Sequence, residues 1–252
     1  MTDYLIPQWP APARVRALCT TRAGGVSSAP YDSLNLGEHV GDEPQAVAAN
    51  RLRFANALAA RPVFLSQAHG TDVVTLSADN VHGMVADASL TTQPGLACTI
   101  MVADCLPVLF TNTQGNVVAA AHAGWRGLTG QGGTGVLEQT LTALAVAGAA
   151  SDIMAWLGPC IGPQAFQVGD DVREAFLAHD RAAHALFRPQ WAGKWLVDLA
   201  GLARMRLRQA GVEQLYGNDG SQAWCTVSNP ARYFSHRRDR ISGRMAACIW
   251  LD

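Results

Sequence analysis

Short apolar runs punctuated by Gly, Pro and Asn recur from one end of this chain to the other, and their spacing sorts them into two kinds. Runs that are short, apolar and bounded by turn residues predict strands over Arg14–Thr20, Pro62–Ser66, Val73–Leu76, Ala97–Val102, Val108–Thr111, Val117–His122, Ile153–Leu157 and Met245–Trp250. Apolar stripes at helical spacing predict helices over Pro44–Leu58, Gly135–Val146, Asp170–Leu177 and Val197–Gln209. No low-complexity linker and no repeat at a solenoid period interrupts the pattern. The expectation is one α/β domain over residues 1–252.

Composition narrows the partners. With 49% hydrophobic residues, 15% charged residues and a formal net charge of −1, the chain can bury a large core and lacks the basic excess of a nucleic-acid binder. Met1-Thr2-Asp3-Tyr4-Leu5-Ile6-Pro7 has neither the basic start nor the long apolar stretch of a signal peptide. No run of about 18 apolar residues marks a membrane span. A cytoplasmic protein with a small-molecule ligand, no nucleic acid and no membrane is expected. The six cysteines are scattered without a C-x-x-C pair, which favours reduced thiols over a disulfide framework.

Three residues stand out against this background: His69 in Ser66-Gln67-Ala68-His69-Gly70, Cys105 in Asp104-Cys105-Leu106-Pro107, and His122 in His122-Ala123-Gly124-Trp125-Arg126-Gly127. Two imidazoles and a thiolate suit Zn²⁺, and three protein ligands leave a fourth position open, the pattern of a catalytic zinc site. Separations of 36 and 17 residues are too long for a finger or ribbon, so only the fold can bring them together. Taken singly, each has a plain structural reading: Cys105 as a small buried hydrophobe, His122 as a core histidine at a strand end. Their Gly and Pro neighbours instead place all three where the backbone bends and a ligand can approach. Trp125, in a glycine-bounded turn, reads as a packing residue. Gly130-Gln131-Gly132-Gly133-Thr134-Gly135 matches G-x-G-x-x-G but does not follow its strand directly, which argues against dinucleotide binding. The H-x-E and P-C-x-x-C deaminase signature, G-x-S-x-G, H-E-x-x-H and the P-loop string are all missing.

Taken together, Thr20-Thr21-Arg22-Ala23-Gly24-Gly25-Val26-Ser27, Ser33-Leu34-Asn35-Leu36-Gly37, Asn50-Arg51, the three strings above, Gly158-Pro159-Cys160-Ile161-Gly162-Pro163 and Phe234-Ser235-His236-Arg237-Arg238-Asp239 are spread through nearly the whole chain. In that order they resemble the YfiH-like family, known as the laccase-domain or multicopper polyphenol oxidase family and also treated as purine nucleoside phosphorylases. The resemblance implies a layered α/β/β/α sandwich with mixed sheets and His69, Cys105 and His122 as zinc ligands. It further implies phosphorolysis of adenosine, inosine, guanosine and methylthioadenosine, with adenosine deamination at the same site. One departure is the additional glycine-rich sequence Gly130-Gln131-Gly132-Gly133 after the Trp-Arg turn.

That chemistry assigns further candidates. Arg22, Arg51 and Arg126 could hold phosphate or ribose, because a guanidinium presents fixed donors to oxyanions; the alternative is structural or surface ion pairing. Asn35 could contact a base edge or ribose, or hold a turn. Asp104 could shuttle a proton or orient a ligand histidine, provided the turn breaks strand alternation. The rival functions are a copper polyphenol oxidase, a metal-free thiol hydrolase using Cys105, and a non-enzymatic binding module stabilised by its metal. The thiol hydrolase connects to the family's role in editing nucleotide-linked muramyl peptides for peptidoglycan synthesis. Purine nucleoside and phosphate are the expected partners of a monomer or homodimer.

Overall fold

The computed structural model describes residues 4–79 and 83–252, so the first three residues of the N-terminal stretch read above lie outside it. In chain order the elements begin with β1 (Tyr4–Leu5), β2 (Val15–Thr20), α1 (Pro44–Ala57), β3 (Arg61–Phe64) and β4 (Val73–Thr75). They continue with β5 (Ala88–Thr91), β6 (Leu96–Val102), β7 (Leu106–Asn112), β8 (Val118–Ala123), α2 (Trp125–Thr129), α3 (Val136–Val146) and β9 (Ile153–Leu157). The last third adds β10 (Gln167–Gly169), α4 (Asp170–Leu177), β11 (Phe187–Pro189), β12 (Lys194–Val197), α5 (Leu199–Gln209), β13 (Gln214–Gly217), α6 (His236–Asp239) and β14 (Met245–Leu251).

Two mixed sheets carry the architecture. The first has the order β1-β2-β14-β6-β3, the second β13-β9-β7-β8-β5-β4, and a small antiparallel ribbon β10-β12-β11 stands apart. Only β3 and β6 run parallel in the first sheet, and only β4 with β5 and β9 with β13 in the second. The side-chain period of two sorts each central strand onto two cores. Cys98, Ile100 and Val102 of β6 and Ala247 and Ile249 of β14 meet Leu109, Val118, Ala120 and Trp156 of the facing sheet. Alternate residues of the same strands, among them Ala97, Ala246 and Cys248, face Phe54 of α1 and its neighbours. On the far side of the second sheet, Val108, Phe110, Ala119, Ala121 and Ala155 pack under α2, α3, α4 and α5. The result is helix, sheet, sheet and helix in layers. It also explains why β6, β7, β8, β9 and β14 are buried along their whole length, since each is covered on both faces.

Local signals explain most boundaries. α1 starts with Pro44 in its first turn, where a missing N–H costs nothing, and buries Val47, Asn50 and Phe54 on one stripe. α3 opens where the Gly135 N–H donates to Glu138 Oε2 at 2.9 Å. The helix expected over Val197–Gln209 begins instead at Leu199. Asp198 caps it by accepting from the Gly201 N–H at 2.8 Å, and Val197 ends strand β12. The contiguous apolar run Trp195-Leu196-Val197 hid that break. β7 also starts earlier than Val108: Pro107 pairs with His122 in its register and lies just past the end of β9, where its carbonyl accepts the Gly158 N–H and its missing N–H is tolerated.

A candidate metal centre at the mouth of the inter-sheet layer

Three elements end at one place. The chain leaves the first sheet at Val102 and enters the second at Leu106, so Ala103, Asp104 and Cys105 alone span the gap between layers. Asp104 makes this possible with φ of 89°, a left-handed conformation rarely adopted by side chains other than glycine. His122 shares the parity of Val118 and Ala120 and so faces the inter-sheet layer, 3% exposed, opposite Pro107. His69 sits in the exposed turn after β3, itself at φ of 59°. The Gln67 side chain steers that turn by donating to the Met101 carbonyl and accepting from the Met101 N–H, both at 2.8 Å, a side-chain extension of the β3–β6 ladder.

The ligand atoms of His69, Cys105 and His122 all lie within 4.8 Å of one another, with Cys105 Sγ 3.8 Å from His69 Nε2 and the two rings edge to face at 4.7 Å. Donor chemistry fits a borderline-soft divalent ion, and the graded burial leaves one side of the cluster open. Among the described residues this is the one group of three or more such side chains placed to hold a metal.

Asp87, absent from the sequence reading, organises the cluster. Its Oδ1 takes His122 Nδ1 at 2.8 Å, which leaves Nε2 for a ligand, and its two oxygens accept the N–H groups of Ala68, His69 and Gly70 at 3.1, 2.9 and 2.6 Å. One buried carboxylate thus fixes both histidine-bearing segments, the usual outer partner of a metal-binding imidazole. Burial alone would raise Asp87, but the bonds from His122 and from the Gly70 and Ala68 N–H groups hold it below the ordinary carboxylate range. Burial would likewise raise the Cys105 thiol. The charge of His122 and hydrogen bonds with both histidines outweigh it and bring the thiol down to about 6. Against its own burial, His122 is raised to about 9 by Cys105 and Asp87. Two glycines let α2 close on the site. A Cβ on Gly124 would lie 3.0 Å from both Cys105 Sγ and His69 Cδ2, and one on Gly127 would lie 2.8 Å from the Gly70 carbonyl.

A cavity of about 1110 Å³ opens beside the cluster. Pro62, Phe64 and Met101 of the first sheet line one side, while Trp125, Ile161, Phe166 and Leu199 come from the elements of the second. Arg51 reaches its wall. Its Nε donates to the Leu36 carbonyl at 2.9 Å, Nη1 pairs with Glu38 at 2.6 Å, and the guanidinium lies 4.1 Å over the Phe64 ring.

Asn35 is elsewhere, fully buried, with its amide saturated by the protein. Nδ2 donates to the Gly37 carbonyl and Asp42, and Oδ1 accepts from the Gly37 and Arg244 N–H groups. Of its two readings the geometry supports the turn, since no bonding capacity is left for a ligand. Arg22 is committed to the Asp32 and Pro230 carbonyls and the Asp32 carboxylate, and Arg126 lies exposed over the Trp125 ring; neither lines the cavity. Asp104 lines it, and the turn does break alternation, but its carboxylate accepts from Thr226 Oγ1 at 2.5 Å and the Arg237 N–H at 2.6 Å. It ties the Cys105 turn to the C-terminal segment. Residues 130–133 join α2 to α3 and none lines the cavity. Trp125, read as packing, does. Glu38, His39 and Arg244 line it as well and carried no sequence signal of their own.

Layered sheets with a His-Cys-His group at the edge of their interface define the class; comparison with known proteins gives the family. Residues 16–252 match the family described as multi-copper polyphenol oxidoreductase laccase. The chain is 51% identical over 253 residues to Escherichia coli YfiH and 50% identical to a Pseudomonas aeruginosa protein, both named purine nucleoside phosphorylase, with 100% of each chain covered. Among solved structures it is similar to a Neisseria meningitidis protein (TM-score 0.91, 45% identity, 99% of both chains) and to YlmD from Geobacillus stearothermophilus (TM-score 0.85, 31% identity, 99% of both chains). The chain therefore belongs to this laccase-domain, YfiH-like family. No helix among the described residues is long and apolar enough to cross a membrane.

Proposed function

We propose that this protein is a zinc-dependent purine nucleoside phosphorylase, acting on adenosine, inosine, guanosine and methylthioadenosine, with adenosine deamination at the same site. The observation that carries the reading is the convergence of His69, Cys105 and His122 within 4.8 Å beside a cavity large enough for a nucleoside, in a chain half identical to relatives named for that reaction. His69, Cys105 and His122 would hold zinc, which would supply Lewis-acid polarisation and a lowered pKa for water. Asp87 keeps His122 in the tautomer that offers Nε2 outward. Phe64 and Met101 on one side and Trp125 and Phe166 on the other give a flat base apolar surfaces to rest on. Arg51 faces the same space as a donor to phosphate as charge develops on the departing base. Zinc is favoured over copper because one thiolate with two imidazoles suits it and the described residues gather one such group. Within the reading, the whole chain acts as one domain in the cytoplasm.

The test follows free base and deaminated product from a nucleoside panel with and without phosphate. Adenosine should give adenine and ribose 1-phosphate only with phosphate present, and inosine regardless. Both products should disappear together in His122→Ala at unchanged purity. Survival of either in that variant assigns it to a separate site or to a contaminating host enzyme.

A second reading has its own observation. Cys105, His122 and Asp87 also stand as nucleophile, base and orienter, with the thiol lowered to about 6 and His122 Nδ1 2.8 Å from Asp87. That arrangement supports a thiol hydrolase, the alternative that the family resemblance connects to muramyl-peptide precursors. A covalent acyl adduct trapped at Cys105 in metal-free protein would favour it.

A further inference from the structure

Three arginines line the cavity: Arg237, whose Nη1 donates to the Gln167 carbonyl, and Arg51 and Arg244, both packed on the 35–39 turn, of which only Arg51 has a counter-ion. Arg51 donates to the Leu36 carbonyl and pairs with Glu38, whose own side chain is 67% exposed. Arg244 is pinned by its backbone, whose N–H donates to Asn35 Oδ1 at 2.8 Å and whose carbonyl accepts from the Leu36 N–H at 3.1 Å. Its side chain packs so closely on Gly37 that a Cβ there would lie 2.7 Å from Arg244 Cγ. One end of its guanidinium is fixed as well, Nη1 donating to the Ser242 and Gly243 carbonyls at 2.8 and 3.1 Å. Its Nε and Nη2 make no hydrogen bond and no ion pair among the described residues, although the side chain is largely withdrawn from water and lines the cavity.

Cys105 and Asp104 favour the charge of Arg244 from a distance, against its own burial, but no acid among the described residues forms an ion pair with it. Asp104 is committed to Thr226 and Arg237, and Asp42 to Ser27, Asn35 and the Glu43 N–H. His39, on the same turn and on the cavity wall, adds a further basic group beside Arg51, Arg237 and Arg244. Its own burial and the charges of Arg244 and Arg51 hold it below the ordinary histidine range despite Glu38, a sign of how closely positive charge is gathered here. A partly desolvated, rigidly held guanidinium with free donors is built for an oxyanion, and neighbouring positive groups focus the field on it.

We propose that Arg244, with Arg51 and His39, forms an oxyanion subsite for a tetrahedral dianion, and that Glu38 is its built-in competitor, occupying Arg51 until the dianion displaces it. Naming the dianion as inorganic phosphate rests on the phosphorylase reading. The subsite itself rests on the Arg244 donors that no protein group among the described residues takes up. Arg244 anchors the anion and the Arg51–Glu38 pair sets how tightly it is held.

Calorimetric titration of metal-loaded protein with inorganic phosphate tests this. Arg244→Gln should weaken binding roughly tenfold or more, since charge-assisted bonds are lost. Glu38→Gln should tighten it roughly threefold, as expected from freeing a half-exposed pair. Arg244→Lys, which keeps charge without the fork, should fall between wild type and Arg244→Gln and carries the test if Arg244→Gln does not fold. The proposal is overturned if wild-type protein takes up no phosphate at millimolar concentration, or if binding is insensitive to the Arg244 variants, the result for phosphate held by the metal alone. It is equally overturned if Glu38→Gln binds no more tightly. Turnover separates subsite from function. Phosphate bound as described without cleavage of any purine nucleoside keeps the subsite and removes the phosphorylase. Nucleoside cleavage with an unaltered KM for phosphate in the Arg244 and Glu38 variants does the reverse.

Discussion

Two buried polar clusters lie in this molecule, one around Asn35 and Asn50 and one around His122 and Asp87, and their hydrogen bonds end in different places. In the first, Asn50 accepts from the Val26 N–H and donates to Ser27 and to the Ser33 and Asn35 carbonyls, while Asn35 spends both ends of its amide on Gly37, Asp42 and Arg244. Every valence closes inside the protein, and the product is a fixed loop against α1. In the second, Asp87 is just as fully used, but the groups it positions turn their remaining donor atoms toward one another and toward open space. Burial and polarity are shared; the difference is whether anything is left over for a ligand.

Breaking the open cluster should have the largest effect. Cys105→Ala is expected to fold yet lose its bound metal and, with it, nucleoside turnover, because two imidazoles alone are a poor zinc site. Metal analysis decides it, and undiminished metal content would remove Cys105 from the ligand set. Breaking the closed cluster should cost fold and not metal. Asn35→Ala strands buried backbone N–H groups of Gly37 and Arg244 and should lower unfolding free energy by roughly 2–4 kcal/mol, leaving metal content of the folded fraction unchanged. An unchanged unfolding free energy would show that the Asn35 amide does not hold the turn.

Asp87→Asn probes the boundary between the two kinds of cluster, since Asp87 is closed itself but serves the open one. Metal affinity should drop roughly 10–100-fold, the usual consequence of losing such an outer partner, as read by competition with a chelator. The smallest effect is a matter of rate. In metal-free protein Cys105 is lowered to about 6, whereas Cys19 and Cys98 are pushed up to about 12 by burial. A lowered thiol pKa means that thiolate accumulates as pH rises through that value, so alkylation at Cys105 should climb around pH 6 and level off by about pH 7.5. Added metal should protect it. A rate still rising at pH 9 would show an ordinary thiol.

The three residues that converge at the candidate metal centre and most central strands were legible in the sequence, for local reasons. Histidine beside glycine, and cysteine two residues before proline, mark bends, and β6, β8, β9 and β14 carry apolar runs whose limits survive in the fold to within one residue. Asp87 was not legible, because Val85-Ala86-Asp87-Ala88 gives no turn or motif signal and its partners lie 17 to 35 residues away. β5, short and of mixed polarity, was missed beside it for the same reason. Arg244 is further removed still: its bond to Asn35 spans 209 residues, and nothing in Ser242-Gly243-Arg244 shows that it faces a cavity. Asn35 and Arg51 looked alike as candidates because each sits in a distinctive string. Only their hydrogen-bond accounts separate the closed residue from the one on the wall.

The place of β14 in the first sheet bears on how the protein is made. Residues 245–251 lie between β2 and β6, hydrogen-bonded to both, although they are synthesised more than two hundred residues after the first of those strands. Until they leave the ribosome, β2 and β6 have open edges facing each other, and the Cys105 turn at the end of β6 lacks its clamp from Arg237. A growing chain therefore holds all three ligands long before it can hold them in place. Metal capture should follow the emergence of residues 245–251, and a translation product stalled short of residue 245 should be an aggregation-prone, metal-poor species for chaperones and proteases to clear.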